Sequence, residues 1–569
     1  MTETRSHHRV PGEPHVRTGL ARLLMPVIDG HRRPRGPYTV AAALLRHLVP
    51  SVVERSRDLV AAHDIEIRAA APELDGIVPA VRVTIDAELS EEERILVPAP
   101  RRTLRLANGL TEFFRDAVPP GRALVVCNAA EADATDVELL EVMMRRIPPA
   151  TLEITVFSGG PPHPPDDRDA DELRAVVDRC VREGFLHAVA ELGELGMSRT
   201  EPGGALWWRF AQRTATALGG LDRTADALAV WERVREVSQD PAMHAAGAYG
   251  TAMLDARHRD PARRDLVRAR KWVNEAIAIS TLLPDPLERA FKLGFDRNGL
   301  ALIELRHGRL HVALALVESA IELAGELGER HPLHRMVLLA NRAQLLAALG
   351  RTKEALEDYA AAIAVDPVFP DHYLERGNLL FGLGRHEEAL ADFEQAMRAG
   401  PPLPEAHYNR AELRTVRGDV EGALADLGRV IELDPAYVDA YINRAGLLAA
   451  AGRDDEARGD VQAGLALDPG NPHLLTVLGQ LETAAGRLAE ARVVLDLAVG
   501  QAPRLAAAWG NRGVLRFTAG DVEGAAEDLS RAIELQPQPD LYANRAVALR
   551  ALGRDTEAEA DERRAALPS

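Results

Sequence analysis

Glycine recurs at Gly350, Gly384, Gly418, Gly452, Gly486 and Gly520 in a constant step of 34 residues, and proline keeps the same step at Pro367, Pro401, Pro435, Pro469, Pro503 and Pro537. A period of this length marks a unit that cannot bury its apolar face alone and must stack on copies of itself. Each unit reads roughly N-R-A, four or five apolar residues, G-R or G-D, E-A-L, D, A-I, D-P. With Pro367 as position 32 of its unit, small residues fall at positions 8, 20 and 27. These are Ala343, Ala355 and Ala362 in the first clear unit, and Gly377, Ala389 and Ala396 in the second. Small residues let neighbouring helices approach closely, glycine makes the turn between two helices, and proline halts the second one.

This pattern resembles the tetratricopeptide repeat (TPR) family. Seven units cover residues 334–569, and a less regular one precedes them at 294–325, with Ala301, Gly308, Ala313 and Ala320 in the matching places. The resemblance implies a mostly α fold, a solenoid superhelix of stacked helix hairpins. It also implies that position 6 of each first helix faces a concave groove.

Two further positions vary together. Position 7 holds Arg342, Arg376, Arg410, Arg444, Leu478, Arg512 and Arg545; position 23 holds Asp358, Asp392, Asp426, Asp460, Val494, Asp528 and Asp561. Both lie eight residues from the glycine turn, so an antiparallel hairpin sets them at one height. The unit that loses its Arg also loses its Asp. The expectation is an Arg–carboxylate pair inside each hairpin rather than a row of arginines that grips an acidic ligand.

Position 6 carries Asn341, Glu375, Asn409, Asn443, Val477, Asn511 and Asn544. An amide side chain offers both a donor and an acceptor, which matches the backbone of an extended peptide whatever its sequence. Similar asparagine ladders hold peptides in the TPR superhelix of protein-glycosylating transferases. The alternative is that these amides only hydrogen-bond their neighbours. The Lys-rich clamp that other members use on C-terminal carboxylates is absent.

The first 160 residues are different. Apolar runs at Ile65–Ile67, Val81–Ile85, Ala123–Cys127 and Leu152–Phe157 read as short strands among helices, predicting a smaller α/β domain. The layout of ALVVCNAAEADATDVELLEVMMRRIPPATLEITVFS resembles the second nucleotide-binding motif of signal-transduction (STAND-type) ATPases, in which an apolar strand ends in two acidic residues. Here those places are Cys127 and Asn128, with Asp133 near a later Asp. Upstream, DGHRRPRGPYTVAAALLRHL lies where that family carries its phosphate loop. Such a loop needs several glycines and a Lys to reach the phosphates. Residues 32–39 offer one glycine, with Tyr38 in the place of Lys, and the chain has no Lys before Lys271. The remaining phosphate candidates are Arg33, Arg35 and Thr39. The reading is a pseudo-ATPase; a plain α/β domain with a Pro-rich loop explains the same residues.

Residues 161–169 form a Pro/Gly-rich linker, and 170–333 are helical without regular spacing, a degenerate TPR-like region in which Trp207, Trp208, Trp231 and Trp272 are expected in the core. The chain carries 86 acidic against 68 basic residues, a net charge of −18, so general binding to nucleic acid or anionic membrane is not expected. Its cations are nearly all Arg, as a GC-rich bacterial genome would give. Two cysteines in no motif, no apolar leader and no transmembrane-length run point to a cytoplasmic protein. His7 and His8 fall in a terminal segment expected to be mobile. No catalytic constellation, metal site or cofactor motif is found. The expected function is a non-catalytic scaffold or adaptor for a protein or peptide client. The alternatives are a nucleotide-binding regulatory switch and, third, an enzyme with an unfamiliar site in residues 1–160.

Overall fold

The computed structural model describes residues 6–14, 22–32, 35–82, 99–163, 166–183, 185–258 and 260–566. It divides into two compact units, Met1–Leu403 and Pro404–Ser569.

The first unit opens with an α/β domain. Its strands are β1 (His8–Val10), β2 (Arg22–Leu23), β3 (Ile28–Asp29), β4 (Arg122–Cys127) and β5 (Leu152–Phe157), and its helices are α1 (Thr39–Arg55), α2 (Arg57–Ala62), α3 (Asp64–Ala70), α4 (Ala99–Ala117) and α5 (Ala134–Arg146). Every pairing is parallel, in the order β1-β5-β4-β2, with β3 also on β4. β2 pairs with the start of β4 and β3 with its end, so the two behave as one edge strand interrupted at 24–27. Alternation along β4 and β5 sends Leu124, Val126, Ile154 and Val156 into a core with α1, α4 and α5, while Val125, Cys127 and Phe157 face the other side.

The strands expected at Ala123–Cys127 and Leu152–Phe157 are present. Ile65–Ile67, expected as a strand, lies instead in α3. An I-x-I triplet also fits one turn of helix, and packing decides between the two. At Gly109 of α4 an added Cβ would lie 2.2 Å from a Glu66 oxygen, so α3 and α4 meet without room for a side chain. Of Val81–Ile85, residues 83–85 lie outside the described residues. His7 and His8, expected in a mobile tail, are fixed: His8 starts β1 opposite Thr155, and the His7 ring bonds the Ile147 carbonyl at 2.9 Å and accepts from the Ile154 N–H at 3.1 Å.

Helices continue from Ala170, and from residue 205 onward they form antiparallel hairpins. The hairpin 205–237 turns at Asp222, which adopts the left-handed backbone (φ 62°) that the glycines adopt in later repeats. Trp207 and Trp231 are core residues there, as expected. In the regular repeats the turn is built the same way each time. The Arg351 N–H reaches back to the Leu346 carbonyl at 2.8 Å and the Gly350 N–H to Ala347 at 3.0 Å, with Gly350 at φ 76°. This closes the first helix with a glycine cap that a Cβ would strain.

All six Arg–Asp pairs form, each through Nε and Nη2 to both carboxylate oxygens. Their distances run from 2.5 Å, at Arg444–Asp460, to 2.9 Å, at Arg410–Asp426 and Arg512–Asp528. The carboxylates are buried and the guanidinium groups half-buried. Where Leu478 and Val494 replace the pair, both join apolar clusters. In that repeat the buried acid is Glu482, held by Arg458 and Arg487.

Asp460→Ala should destabilise the Pro404–Ser569 unit by about 3 kcal/mol, because Arg444 is left half-buried without its partner. The double change Arg444→Leu with Asp460→Val, copying the apolar repeat, should cost less than that single change. Urea unfolding of the three variants measures both; a double variant as unstable as the sum of its singles would rule out the pairing. A second expectation concerns His334 and His372 of the first unit. Burial pushes both rings down to about 4, with His331 adding to the effect at His334, from an ordinary value of 6.5. A base whose value falls on folding supports the fold above pH 6.5 and withdraws that support as pH drops toward 4. The melting temperature of the first unit should fall across that window, and His334→Phe with His372→Phe should flatten the fall.

Candidate functional site

The position-6 side chains sit on first helices, and the structure shows what each touches. In the first unit, Asn341 donates from Nδ2 to Asn298 Oδ1 of the preceding first helix at 2.8 Å, and Glu375 is exposed. In the second, Asn443 donates from Nδ2 to the Tyr408 hydroxyl, again on the preceding first helix, at 2.9 Å. Asn409 and Asn511 are half-buried and Asn544 is exposed. Asn341 and Asn443 therefore tie first helix to first helix. Asn443 spends a donor on this and keeps its carbonyl oxygen open.

Around Asn443 lies a group that sequence reasoning missed. The Tyr408 and Tyr437 rings are 5.2 Å apart and inclined at 31°. The Tyr408 hydroxyl accepts from Asn443; Glu412 lies one helical turn on from Tyr408, and Asp439, exposed, one turn before Asn443. Burial and the neighbouring Asp439 push the Glu412 carboxyl up from its ordinary value, partly opposed by the Tyr408 hydrogen bond. The signal was available: positions 5 and 9 of this repeat are Tyr and Glu, where the next repeat has Ile442 and Gly446.

The amino-terminal candidates are placed as follows. Arg33 lies outside the described residues. Arg35 forks onto Glu73 at 2.6 and 2.9 Å and reaches the Ala70 carbonyl at 2.9 Å. Thr39 donates its hydroxyl to the Gly36 carbonyl at 2.7 Å. The free N–H groups at the start of α1, where a bound anion would sit, point at the protein's own side chains. Val40 and Ala41 donate to Asp136 Oδ1 at 3.1 and 3.2 Å, and Tyr38 donates to Thr135 Oγ1 at 2.9 Å. Asp133 caps α5 by accepting from the Thr135 N–H and hydroxyl at 2.9 and 2.8 Å. At the end of β4, Asn128 donates to Asp29 Oδ1 and to the Pro161 carbonyl, each at 2.9 Å, and His163 bonds Asp29 Oδ2 at 2.7 Å. Asp29, at the end of β3, is thus fastened by its neighbours. Among the described residues no group of three or more His, Cys, Asp or Glu is arranged to hold a metal ion.

The repeat segment matches a tetratricopeptide repeat model at residues 341–404, 408–472, 476–540 and 511–569. The solenoid of this chain is a tetratricopeptide array, preceded by a small α/β region with a parallel sheet. No curated protein matches the chain. Among solved structures it is similar to YrrB, described as a TPR protein with an unusual peptide-binding site, at 22% identity over 34% of this chain and 97% of that one, with a TM-score of 0.28. It is also similar to the Cut9–Hcn1 hetero-tetramer structure of APC/C (13% identity, 70% and 87% covered, TM-score 0.37) and to yeast Tom70 (15% identity, 70% and 90% covered, TM-score 0.36). No helix among the described residues is long and apolar enough to cross a membrane.

Asp136 supplies a test of the α1 cap. Complete burial pushes its carboxyl from the ordinary 3.8 up to about 7, against the hydrogen bonds from Val40 and Ala41, and Oδ2 has no partner. An acid whose value rises on folding costs stability as pH climbs from about 4 to about 7, and the loss is complete above that. Asp136→Asn keeps an acceptor at the cap without the charge, so it should melt higher than the native chain at pH 8 and flatten the decline. Asp136→Ala should lose about 1 kcal/mol relative to Asn. Melting curves at pH 5 and pH 8 check the order.

Proposed function

We propose that this chain is a non-catalytic protein-interaction scaffold that holds an extended segment of a partner along the first-helix face of its repeats. The observation that carries the reading is the recurrent amide at position 6, on a surface whose arginines are already committed to Asp358, Asp392, Asp426, Asp460, Asp528 and Asp561. An amide that anchors through its nitrogen and leaves its oxygen open, as Asn443 does, can accept a backbone N–H from a bound strand of any sequence. The α/β domain fits this picture as a retained, unreactive module. With Asp136 on the start of α1 and Arg35 on Glu73, it favours the scaffold over a nucleotide switch. Magnesium-dependent ATP turnover by the full chain should stay at background, as a coupled phosphate assay would show.

The groove reading is tested by selecting a random peptide phage library on the full chain. Enriched ligands should bind the native protein, and Asn409→Ala, Asn443→Ala and Asn511→Ala together should weaken them. Each lost hydrogen bond is worth about 0.5–1.5 kcal/mol, or roughly one to three decades in Kd for the triple change. Undiminished binding by a triple variant with native circular dichroism would place the ligand elsewhere.

A further inference from the structure

The α/β domain meets the helices that follow it at two separated places of the first unit. At the first, Arg32 forks onto Glu191, and Arg179 donates to the Arg35 carbonyl at 2.9 Å. The second lies much further along the chain, where two arginines of the domain reach the repeat built from helices 370–382 and 386–399. Arg105 of α4 pairs with Asp371 at 3.4 Å, and Arg82 donates from Nη1 to the Gly400 carbonyl at 3.2 Å. The two acceptors are neighbours, because a Cβ added at Gly400 would lie 3.0 Å from the Pro370 ring, next to Asp371. Arg82 is aimed there by its own domain: it donates to Asp64, which is fully buried, and to the Ala62 carbonyl, each at 2.8 Å.

Asp371 is position 2 of its repeat, one helical turn before the position-6 residue Glu375, so Arg105 stands on the face that carries amides in other repeats. Of the seven regular units this one alone has acids at both positions, while Asn341 and Asn409 hold position 6 of the units on either side. Acid replaces amide where the chain's own arginines arrive. The Asp371 side chain is 36% exposed, and an ion pair so placed is a weak tie, screened by salt, which suits a contact that opens.

We infer that the α/β domain is a built-in occupant of the first-helix face at helix 370–382, and that a partner segment bound along that face displaces it. This rests on the peptide-binding reading above and adds control to it. The closed form has Arg105 on Asp371; the open form leaves that repeat free. Only the open form takes a segment that passes Glu375, so the apparent Kd is the intrinsic value divided by the open fraction. Binding at the repeats and release of the domain are then one linked equilibrium.

Arg105→Asp, on the domain and outside the repeats, should open the chain, and adding Asp371→Arg rebuilds the pair in reverse and should close it again. Arg105→Gln, a milder change, should act in the direction of Arg105→Asp. Spin labels at Arg57→Cys on α2 and at Lys353→Cys, both exposed, report the distance between domain and repeats in the full chain, the native Cys127 and Cys180 being buried. That distance should lengthen or broaden with Arg105→Asp and return with the double change. Peptides selected from a random phage library on the Arg105→Asp chain should bind it at least three-fold more tightly than the native chain, and the double change should restore the native affinity. A label distance unmoved by Arg105→Asp would overturn the closure. A distance that moves while peptide affinity stays level would overturn the competition and leave the peptide groove standing. Labels that move with no peptide selected on either chain would overturn the peptide reading, and the competition with it.

Discussion

A forked Arg–carboxylate pair, present in six of the seven regular hairpins, is the directional contact of the array. It links two helices that also pack through alanine, glycine and larger apolar side chains such as Leu346, Tyr359 and Phe393. Close approach at Ala343, Ala355 and Ala362 fixes how near the helices come. The planar guanidinium facing a buried carboxylate fixes their height relative to one another. Apolar burial supplies attraction without direction; the ionic fork supplies direction. The order matters, because the position-6 residues one place earlier in the helix inherit their alignment from the arginine beside them.

That inheritance explains why the candidate binding surface can be sparse. Asn443 needs only to reach the helix before it, and the spacing it spans is set by the hairpins on either side. The variable positions of the first helices are then free to differ. In one stretch they carry tyrosine and acid, at Tyr408, Glu412, Tyr437 and Asp439.

Much of the array could be read from the chain itself. The step of glycine and proline gave the hairpins, and the joint loss at 478 and 494 gave the pairs. Repetition turns one sequence into several independent samples of one structure, and that is what made those residues legible. The α/β domain has no such redundancy. Its edge strands β1, β2 and β3 are two or three residues long, too short for any alternation to show, and Ile65–Ile67 satisfied a strand pattern that packing on Gly109 overrode. Asp222 escaped notice because the turn it makes is marked elsewhere by glycine. The site residues divide in the same way. Position 6 was a candidate that the resemblance to the repeat family implied, whereas the Tyr408 group and the Asp136 cap unite residues whose proximity no local pattern encodes.

The Asp136 cap has a consequence for anything that might approach α1 from outside. The carboxylate on that helix start is tethered to the same domain, so it competes at an effective concentration set by geometry rather than by supply. A free phosphate or nucleotide arriving there would have to displace a ligand that never diffuses away, and would leave a carboxyl group stranded in the core. The helix start is occupied from within.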